Sequence, residues 1–301
     1  MRLCSILLLW AICQNASAQG YDFLYQYFEA DSTEMPGCSS IKVQTTETNS
    51  MRPGAAGKIS ITESFYDRAG KLVAEEQTSS IAPATIRTSF GYDSISGRMN
   101  YIVRTGGKAK QEDFAQYDEM GRLSEIVHCQ EDNPCRMRHY VYDEDNTEQL
   151  YIPRQTIELQ FGKGEKPKSL FGISAANTQK DELARERFFD LEGKLEEVRL
   201  YSNGAFSVGW IFEYNMAGQK TKTWAINSTE KKLLNDHEYD EKGRLATEKT
   251  YLWVVGSKLM PYPETESSIT HFEYDDKNRL VRTEEGNKRY SKIQEFTYYE
   301  N

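Results

Sequence analysis

Carboxylates are the most abundant groups in this chain that could do chemistry. The chain has 46 Asp and Glu against 37 Lys and Arg, which gives a formal net charge of −9. Two carboxylates could hydrolyse a glycosidic bond, but none of them stands in a distinctive apolar setting. The run Asp143 to Glu148 offers oxygens at alternate positions, as calcium loops do, but lacks the glycine that such a loop needs. We therefore expect no catalytic residue, no metal, no cofactor and no enzymatic activity.

Cysteine and histidine provide a second candidate chemistry. Cys129 and Cys135 flank the turn sequence Gln-Glu-Asp-Asn-Pro, and in an exported protein they can form a disulfide bond. Cys38 would then be left over, either buried or available to a partner. The alternative is a zinc site that adds His128 and His139, although these spacings fit no usual ligand pattern. We predict the disulfide bond between Cys129 and Cys135.

An apolar and aromatic stretch near the C-terminal end is the candidate ligand-binding segment. Tyr251 and Trp253 precede a Pro-Tyr-Pro sequence that contains Tyr262. Exposed aromatic side chains on loops that a rigid scaffold positions commonly bind sugars or proteins. We predict that these three aromatic residues contact a ligand. The alternative is that Trp253 fills the core at the end of a long hairpin.

The first eighteen residues indicate export. A basic start is followed by an apolar run from Leu3 to Cys13 and then by Ala16-Ser17-Ala18, which is typical of a signal peptide. We predict cleavage after Ala18 and a secreted, periplasmic or cell-surface protein. The apolar run is too short for a stable anchor, so we expect no transmembrane segment after cleavage. The acidic balance argues against a nucleic-acid partner, because phosphate contacts need clustered basic residues.

A short phrase that recurs about every 25 residues organises the rest of the chain. It reads aromatic, Asp, two variable residues, Gly, a basic residue and an apolar residue. Asp favours the start of a type I turn, and Gly or Asn supplies the positive φ that follows it. This combination is a common β-hairpin loop with a bulge, which sets the aromatic opposite the apolar residue and Asp opposite the base.

Six copies of the phrase are clear. They place the aromatic, Asp and Gly or Asn at Tyr66, Asp67 and Gly70; Tyr92, Asp93 and Gly97; Tyr117, Asp118 and Gly121; Phe189, Asp190 and Gly193; Tyr239, Asp240 and Gly243; and Tyr274, Asp275 and Asn278. Tyr142 and Tyr214 begin degenerate copies, and Tyr298 begins a truncated one.

The repeat predicts an all-β fold: one antiparallel meander of tandem β-hairpins, with roughly eighteen to twenty strands. So many strands must curl, and we expect a spiral or an open barrel-like sheet; the alternative is a β-propeller-like arrangement. Residues 1–18 are the predicted signal peptide, and residues 19–58 an N-terminal capping segment that covers the first edge strand. Residues 59–301 form the predicted repeat domain.

The phrase and its period resemble the YD-repeat family, the β-hairpin repeats of Rhs proteins, bacterial toxin shells and teneurins. The resemblance extends over residues 64–301, and we expect a member without a toxin domain. It implies export, structural roles for the repeat residues, and binding of carbohydrate or a cell-surface partner. We therefore expect an exported, non-enzymatic scaffold with such a ligand. The alternatives are a purely structural or assembly component of the cell envelope, and a glycan-processing enzyme.

Overall fold

The computed structural model describes residue 35 and residues 37–49, 57–107, 109–131, 135–142, 147–153, 181–251, 268–287 and 290–300. These residues form eighteen strands and no helix. The strands are β1 (Cys38–Asn49), β2 (Lys58–Tyr66), β3 (Leu72–Ser79), β4 (Ala82–Tyr92), β5 (Met99–Thr105), β6 (Gln111–Tyr117), β7 (Leu123–Gln130), β8 (Arg136–Tyr142), β9 (Thr147–Pro153), β10 (Asp181–Phe189), β11 (Leu195–Ser202), β12 (Ala205–Tyr214), β13 (Lys220–Ile226), β14 (Lys231–Tyr239), β15 (Leu245–Thr250), β16 (Ser268–Tyr274), β17 (Leu280–Gly286) and β18 (Tyr290–Glu300). In this described part of the chain, no helix is long and apolar enough to cross a membrane.

The strands form one closed antiparallel ring. Every strand from β2 to β17 pairs with its neighbours in sequence. The ring closes at β1, where Thr46 lies opposite Ile293 of β18 on one side and opposite Ile59 of β2 on the other. The predicted all-β antiparallel meander is confirmed.

The expected spiral, open sheet and propeller are wrong, because the sheet has no open edge. β1 lies within residues 19–58 and pairs with β2. It also pairs with the last strand along almost its whole length. Closure gives partners to backbone groups that two edge strands would leave unpaired, which is the physical advantage of a barrel.

The hairpin turns have the geometry that the repeat phrase predicts. At the β6–β7 turn, the amide of Gly121 donates to the carbonyl of Asp118, and the amide of Asp118 donates to the carbonyl of Arg122, both at 2.8 Å. Tyr117 lies opposite Leu123, and the register shifts at the next pair, which marks the bulge. Gly121 has a φ of 78°, and Asn278 takes the same role with a φ of 63°.

Each turn aspartate is used to hold its own turn. The Oδ1 atom of Asp240 accepts the amides of Lys242 at 3.0 Å and Arg244 at 2.8 Å. The Nε atom of Arg244 donates to Oδ2 at 2.7 Å. The backbone amide of Arg244 and then its guanidinium hold the pKa of this carboxyl below its ordinary value. The aspartate is therefore a turn cap.

The repeated tyrosines join each hairpin to the preceding one. Their hydroxyls donate to the backbone carbonyl of the apolar or Lys residue that follows the previous turn, at 2.6–2.9 Å. We call this row the tyrosine belt. Its bonds within the described residues are Tyr92 to Leu72, Tyr117 to Met99, Tyr142 to Leu123, Tyr214 to Leu195, Tyr239 to Lys220, Tyr274 to Leu245, and Tyr298 to Leu280.

In several repeats, the basic residue of one turn reaches forward to the next turn. The Lys71 ammonium donates to the carbonyl of Gly97 at 2.8 Å and lies 5.0 Å from the centre of the Tyr92 ring. One hairpin later, the Arg98 guanidinium donates to the carbonyl of Gly121 and lies over the Tyr117 ring. Such cation–π contacts add roughly 0.5–1 kcal/mol each at exposed sites. Neighbouring hairpins are therefore locked together by backbone ladders and by side chains.

The two faces of the ring differ in burial. Of the six described residues that are at most 1% exposed, Val127 lies on the other face, and five lie on the face that carries the tyrosine belt, namely Ile102, Asp113, Ile126, Ala225 and Leu245. The exposed strand hydrophobics Ile59, Val141, Ile269 and Tyr299 all lie on the opposite face. Because the concave side of a closed sheet is the more buried one, we assign the tyrosine face to the inside. We call the two sides the inner face and the outer face.

Gly121 tests the predicted turn geometry. A Cβ atom there would force a side chain into the left-handed region and would meet the Arg98 guanidinium. Gly121→Ala should therefore lower the free energy of unfolding by about 1–2 kcal/mol or more. Gly107→Ala is the matched control, because Gly107 has no positive φ and a Cβ there meets nothing closer than 4.0 Å. Equal effects of the two substitutions in urea unfolding would contradict the assigned geometry.

The tyrosine belt predicts alkaline unfolding. Burial raises the pKa of Tyr117, Tyr214 and Tyr298 from 10.0 to about 12. A raised folded-state pKa contributes stability that is complete below pH 10 and is lost as the pH rises through 12. Thermal unfolding followed by circular dichroism should therefore shift to lower temperature above pH 10. Phenolate absorbance that rises with a midpoint near pH 10 while the fold persists would contradict the belt.

Candidate functional site

Two inward positions depart from the chemistry of the repeat: Glu148, which lies opposite Tyr142 and pairs with Arg185, and Lys220. The residue opposite the leading aromatic is apolar in six described hairpins, at Leu72, Met99, Leu123, Leu195, Leu245 and Leu280. In the β12–β13 hairpin, Tyr214 lies opposite Lys220 instead. A charged residue in a position that packing otherwise fills with Leu or Met points to a role other than stability.

The Lys220 side chain is partly buried and has no ion pair among the described residues. Its Nζ atom lies 5.5 Å from the centre of the Phe212 ring on β12. Burial lowers the pKa of its ammonium, and the nearby Glu248 carboxylate acts in the opposite direction. No carboxylate in the described ranges is within ion-pair distance of Lys220. The Phe212 ring and the Glu248 carboxylate thus attract the Lys220 ammonium, but no described carboxylate contacts it directly.

Beside Lys220, the inner face of β14 and β15 carries a buried contact between a histidine and a carboxylate. The Nε2 atom of His237 lies 3.1 Å from Oε2 of Glu248, and the His237 side chain is 1% exposed. Its Nδ1 atom lies 3.3 Å from the carbonyl oxygen of Thr221. His237 therefore links the Glu248 carboxylate of β15 to the backbone of β13.

Polar side chains extend this cluster along the strands. The Asn235 amide donates to Oε1 of Glu248 at 3.2 Å and to Oγ1 of Thr250 at 2.9 Å. Thr223 lies opposite Asn235 and is 2% exposed, and its hydroxyl has no hydrogen-bond partner. A buried hydroxyl without a partner costs about 1–3 kcal/mol, which makes Thr223 a candidate ligand contact.

Two aromatic side chains flank the polar groups on β12. Trp210 lies opposite the small, buried Ala225 of β13, and Phe212 lies opposite Thr223. Trp224, by contrast, faces outward and donates from Nε1 to Glu213 at 2.7 Å. We define the polar patch as Lys220, Thr223, Asn235, His237, Glu248 and Thr250, with Trp210 and Phe212 as its aromatic flank.

The opposite arc of the inner face has a different character. Its core cluster packs Phe90, Ile102, Ile126 and other apolar residues of β3 to β9. The Glu148 carboxylate there is held by Arg185, with 2.9 Å between the paired atoms. Buried charge on this arc is therefore engaged in direct ion pairs, whereas the ammonium of Lys220 is not.

Of the predicted ligand-binding aromatics, the structure describes Tyr251, which does not belong to the polar patch. Tyr251 follows β15, its amide donates to the carbonyl of Leu234 at 2.8 Å, and the Lys249 ammonium lies 4.9 Å from its ring centre. Trp253 and Tyr262 lie outside the described residues. Sequence reasoning missed the polar patch, and its one signal was Lys220 in the degenerate copy that begins at Tyr214.

The cysteine prediction is confirmed, because Cys129 and Cys135 form a disulfide bond. The zinc alternative is thereby wrong, since neither thiolate is available. Cys38 is free and buried at the start of β1. The first four residues of the calcium alternative, Asp143 to Asn146, lie outside the described residues, and in the ranges that are described no group of three His, Cys, Asp or Glu side chains could hold a metal ion.

Comparisons with known proteins give weak likenesses. No family model matches the chain, and no curated protein matches it. A porin-like protein from Bacteroides uniformis is 9% identical with a TM-score of 0.43, over 88% of this chain and 98% of that one. A LolA superfamily protein from Nitrosomonas europaea is 10% identical with a TM-score of 0.21, over 93% and 95%.

A third likeness concerns a much larger protein. The Photorhabdus luminescens Tc holotoxin pore is 15% identical with a TM-score of 0.28, and the match covers 81% of this chain but 13% of that one. With TM-scores below 0.5, these three likenesses carry no argument about function. The functional conclusion therefore depends on the residues of this chain.

We predict that the fold is less stable with Lys220 than with an apolar side chain at this position. Lys220→Met places an apolar side chain where Met99 stands in another repeat, and should raise the free energy of unfolding by about 1–2 kcal/mol. The control is Lys242→Met at an exposed turn position, where Met120 stands in another repeat; it should change stability by less than about 0.5 kcal/mol. Urea unfolding measures both, and a loss of stability in Lys220→Met would contradict the assigned burial of this charge.

Proposed function

We propose that this protein is an exported, non-enzymatic scaffold of the cell envelope, of the YD-repeat type, that binds carbohydrate on its inner face. The observation that carries the proposal is the polar patch beside Trp210 and Phe212. Sugar rings present apolar C–H faces that stack on aromatic rings, and hydroxyls that bond to amides, hydroxyls and charged groups. The patch offers both kinds of contact within one stretch of the wall.

The use of the repeat residues supports a scaffold without catalysis. The repeated tyrosine hydroxyls bind backbone carbonyls, and turn aspartates such as Asp240 bind the amides of their own turns. Those groups hold the barrel together and are not arranged around a reacting atom. In the polar patch, the Glu248 carboxylate already accepts from His237 and Asn235, so it serves to orient them.

The charged side chains of the outer face support the proposal that the protein lies in an aqueous part of the cell envelope. It carries ion pairs between strands, such as Arg87 with Glu76 at 3.0 Å and Arg282 with Glu273 at 3.2 Å. Arg282 also lies 2.9 Å from Glu284. Charges on a wall that faced hydrocarbon would be costly, whereas water or a polar partner solvates them.

A glycan array tests the proposal. The wild-type protein should bind a defined set of oligosaccharides, and Trp210→Ala should lower their affinity by about tenfold or more, because stacking area is lost. Trp224→Ala is the matched control, since Trp224 lies on the outer face of the same hairpin. Thermal unfolding of each variant verifies that it is folded.

Three outcomes decide between the candidate functions. Loss of binding in Trp210→Ala alone supports the inner site. Equal loss in Trp224→Ala would place the ligand on the outer face and contradict the proposal. Absence of binding to any saccharide by the folded wild-type protein would favour the purely structural or assembly role.

A further inference from the structure

We propose that the carbohydrate bound at the polar patch is an acidic one, whose carboxylate is held by Lys220 and Thr223. This inference rests on the proposed function and specifies the ligand class of the same site. It names a uronate-type saccharide by its chemistry, namely a sugar ring that carries a carboxylate.

The pairing of polar groups in the patch is the first support. The Glu248 carboxylate is engaged by His237 at 3.1 Å and by the Asn235 amide at 3.2 Å. The Lys220 ammonium has no carboxylate within ion-pair distance among the described residues, and the Phe212 ring lies beside it at 5.5 Å. A carboxylate that replaces water around this ammonium would form a charge-assisted hydrogen bond in a partly desolvated place, where such bonds are strong.

The placement of Thr223 is the second support. A bulge residue, Thr221, separates Lys220 from the rest of β13, and Lys222 faces outward, so Lys220 and Thr223 are consecutive inward residues of the strand. The Thr223 hydroxyl is buried and has no partner. An ammonium and a hydroxyl side by side can donate to the two oxygens of one carboxylate, and this would satisfy Thr223.

The repeat supplies the third support. Six other described hairpins have Leu or Met at the equivalent position, and a seventh has Glu148, which is paired with Arg185 at 2.9 Å. Lys220 is therefore the charged residue at this position that has no ion pair among the described residues, and a departure of this kind from the local pattern is expected at a functional position. A cationic ligand would be repelled by Lys220, and a neutral one would leave it unmatched.

Calorimetric titration with two matched saccharides tests the inference. One probe is a hexasaccharide of galacturonic acid, and the other is the same hexasaccharide with its carboxyl groups reduced to alcohols. The wild-type protein should bind the acidic probe at least about tenfold more tightly than the reduced one. This preference should shrink as salt is added, because charge contacts are screened.

Lys220→Met and Lys242→Met are the paired variants. Lys220→Met should lose the acidic preference and bind the two probes with equal affinity, whereas Lys242→Met should keep the preference. An unchanged acidic preference in Lys220→Met would overturn the inference.

The two proposals fail in different ways. Equal binding of both probes by the wild type would overturn the acidic ligand but would leave the carbohydrate site in place. Binding of neither probe, nor of any saccharide on the array, would overturn the proposed function and the inference together.

Discussion

The bond between a tyrosine hydroxyl and the backbone carbonyl of the preceding hairpin is the interaction on which this structure depends. A lone β-hairpin is marginal in water and needs neighbours to bury a face. Seven hydroxyls make this bond in the described residues, as Tyr117 does on Met99 at 2.6 Å, whereas the β10–β11 hairpin is led by Phe189, which has no hydroxyl. The forward contacts of Lys71 and Arg98 act between the same pairs of hairpins. These contacts fix the position of one repeat on the next.

At the seam, where β1 pairs with β18, contacts of the same kind join neighbouring turns. Glu300, at the end of β18, accepts from Lys277 at 2.6 Å and from Arg279 at 2.9 Å, so the last hairpin turn is tied to the final strand. On the other side of the seam, the amide of Met35 donates to the carbonyl of Gly70 at 2.7 Å. The contacts between neighbouring turns thus continue across the junction of the two chain ends.

The two rims of the barrel differ in the length of the connections between strands. We call the rim with the Asp and Gly turns the turn rim, and the opposite one the loop rim. Connections at the loop rim range from two residues, 80–81, to twenty-seven residues, 154–180. Uniform turns on one side and variable connections on the other are typical of a scaffold that holds binding elements on a rigid frame. The inner face divides similarly into an apolar arc and the polar patch.

Much of this architecture could be predicted from the sequence, because its signals are local. Asp118 and Gly121 specify a turn by themselves, and Asn278 fits the same position for the same reason. Closure could not be predicted, since it depends on the summed twist of all the strands and on β1, which carries no copy of the phrase. The polar patch was missed because Lys220 lies in a degenerate copy of the phrase. In such a copy, a lysine in place of Leu is indistinguishable from ordinary loss of the repeat sequence.

The closed ring is tested most directly by a cross-strand disulfide bond at the seam. In Thr46→Cys/Ile293→Cys, the paired register of β1 and β18 places the two Cα atoms about 4.5–5.5 Å apart, within disulfide range. Thr46→Cys/Ile59→Cys, across β1 and β2, is the control. The closed ring predicts that both pairs oxidise within a monomer. Oxidation of the control pair alone would show an open sheet and would contradict the account.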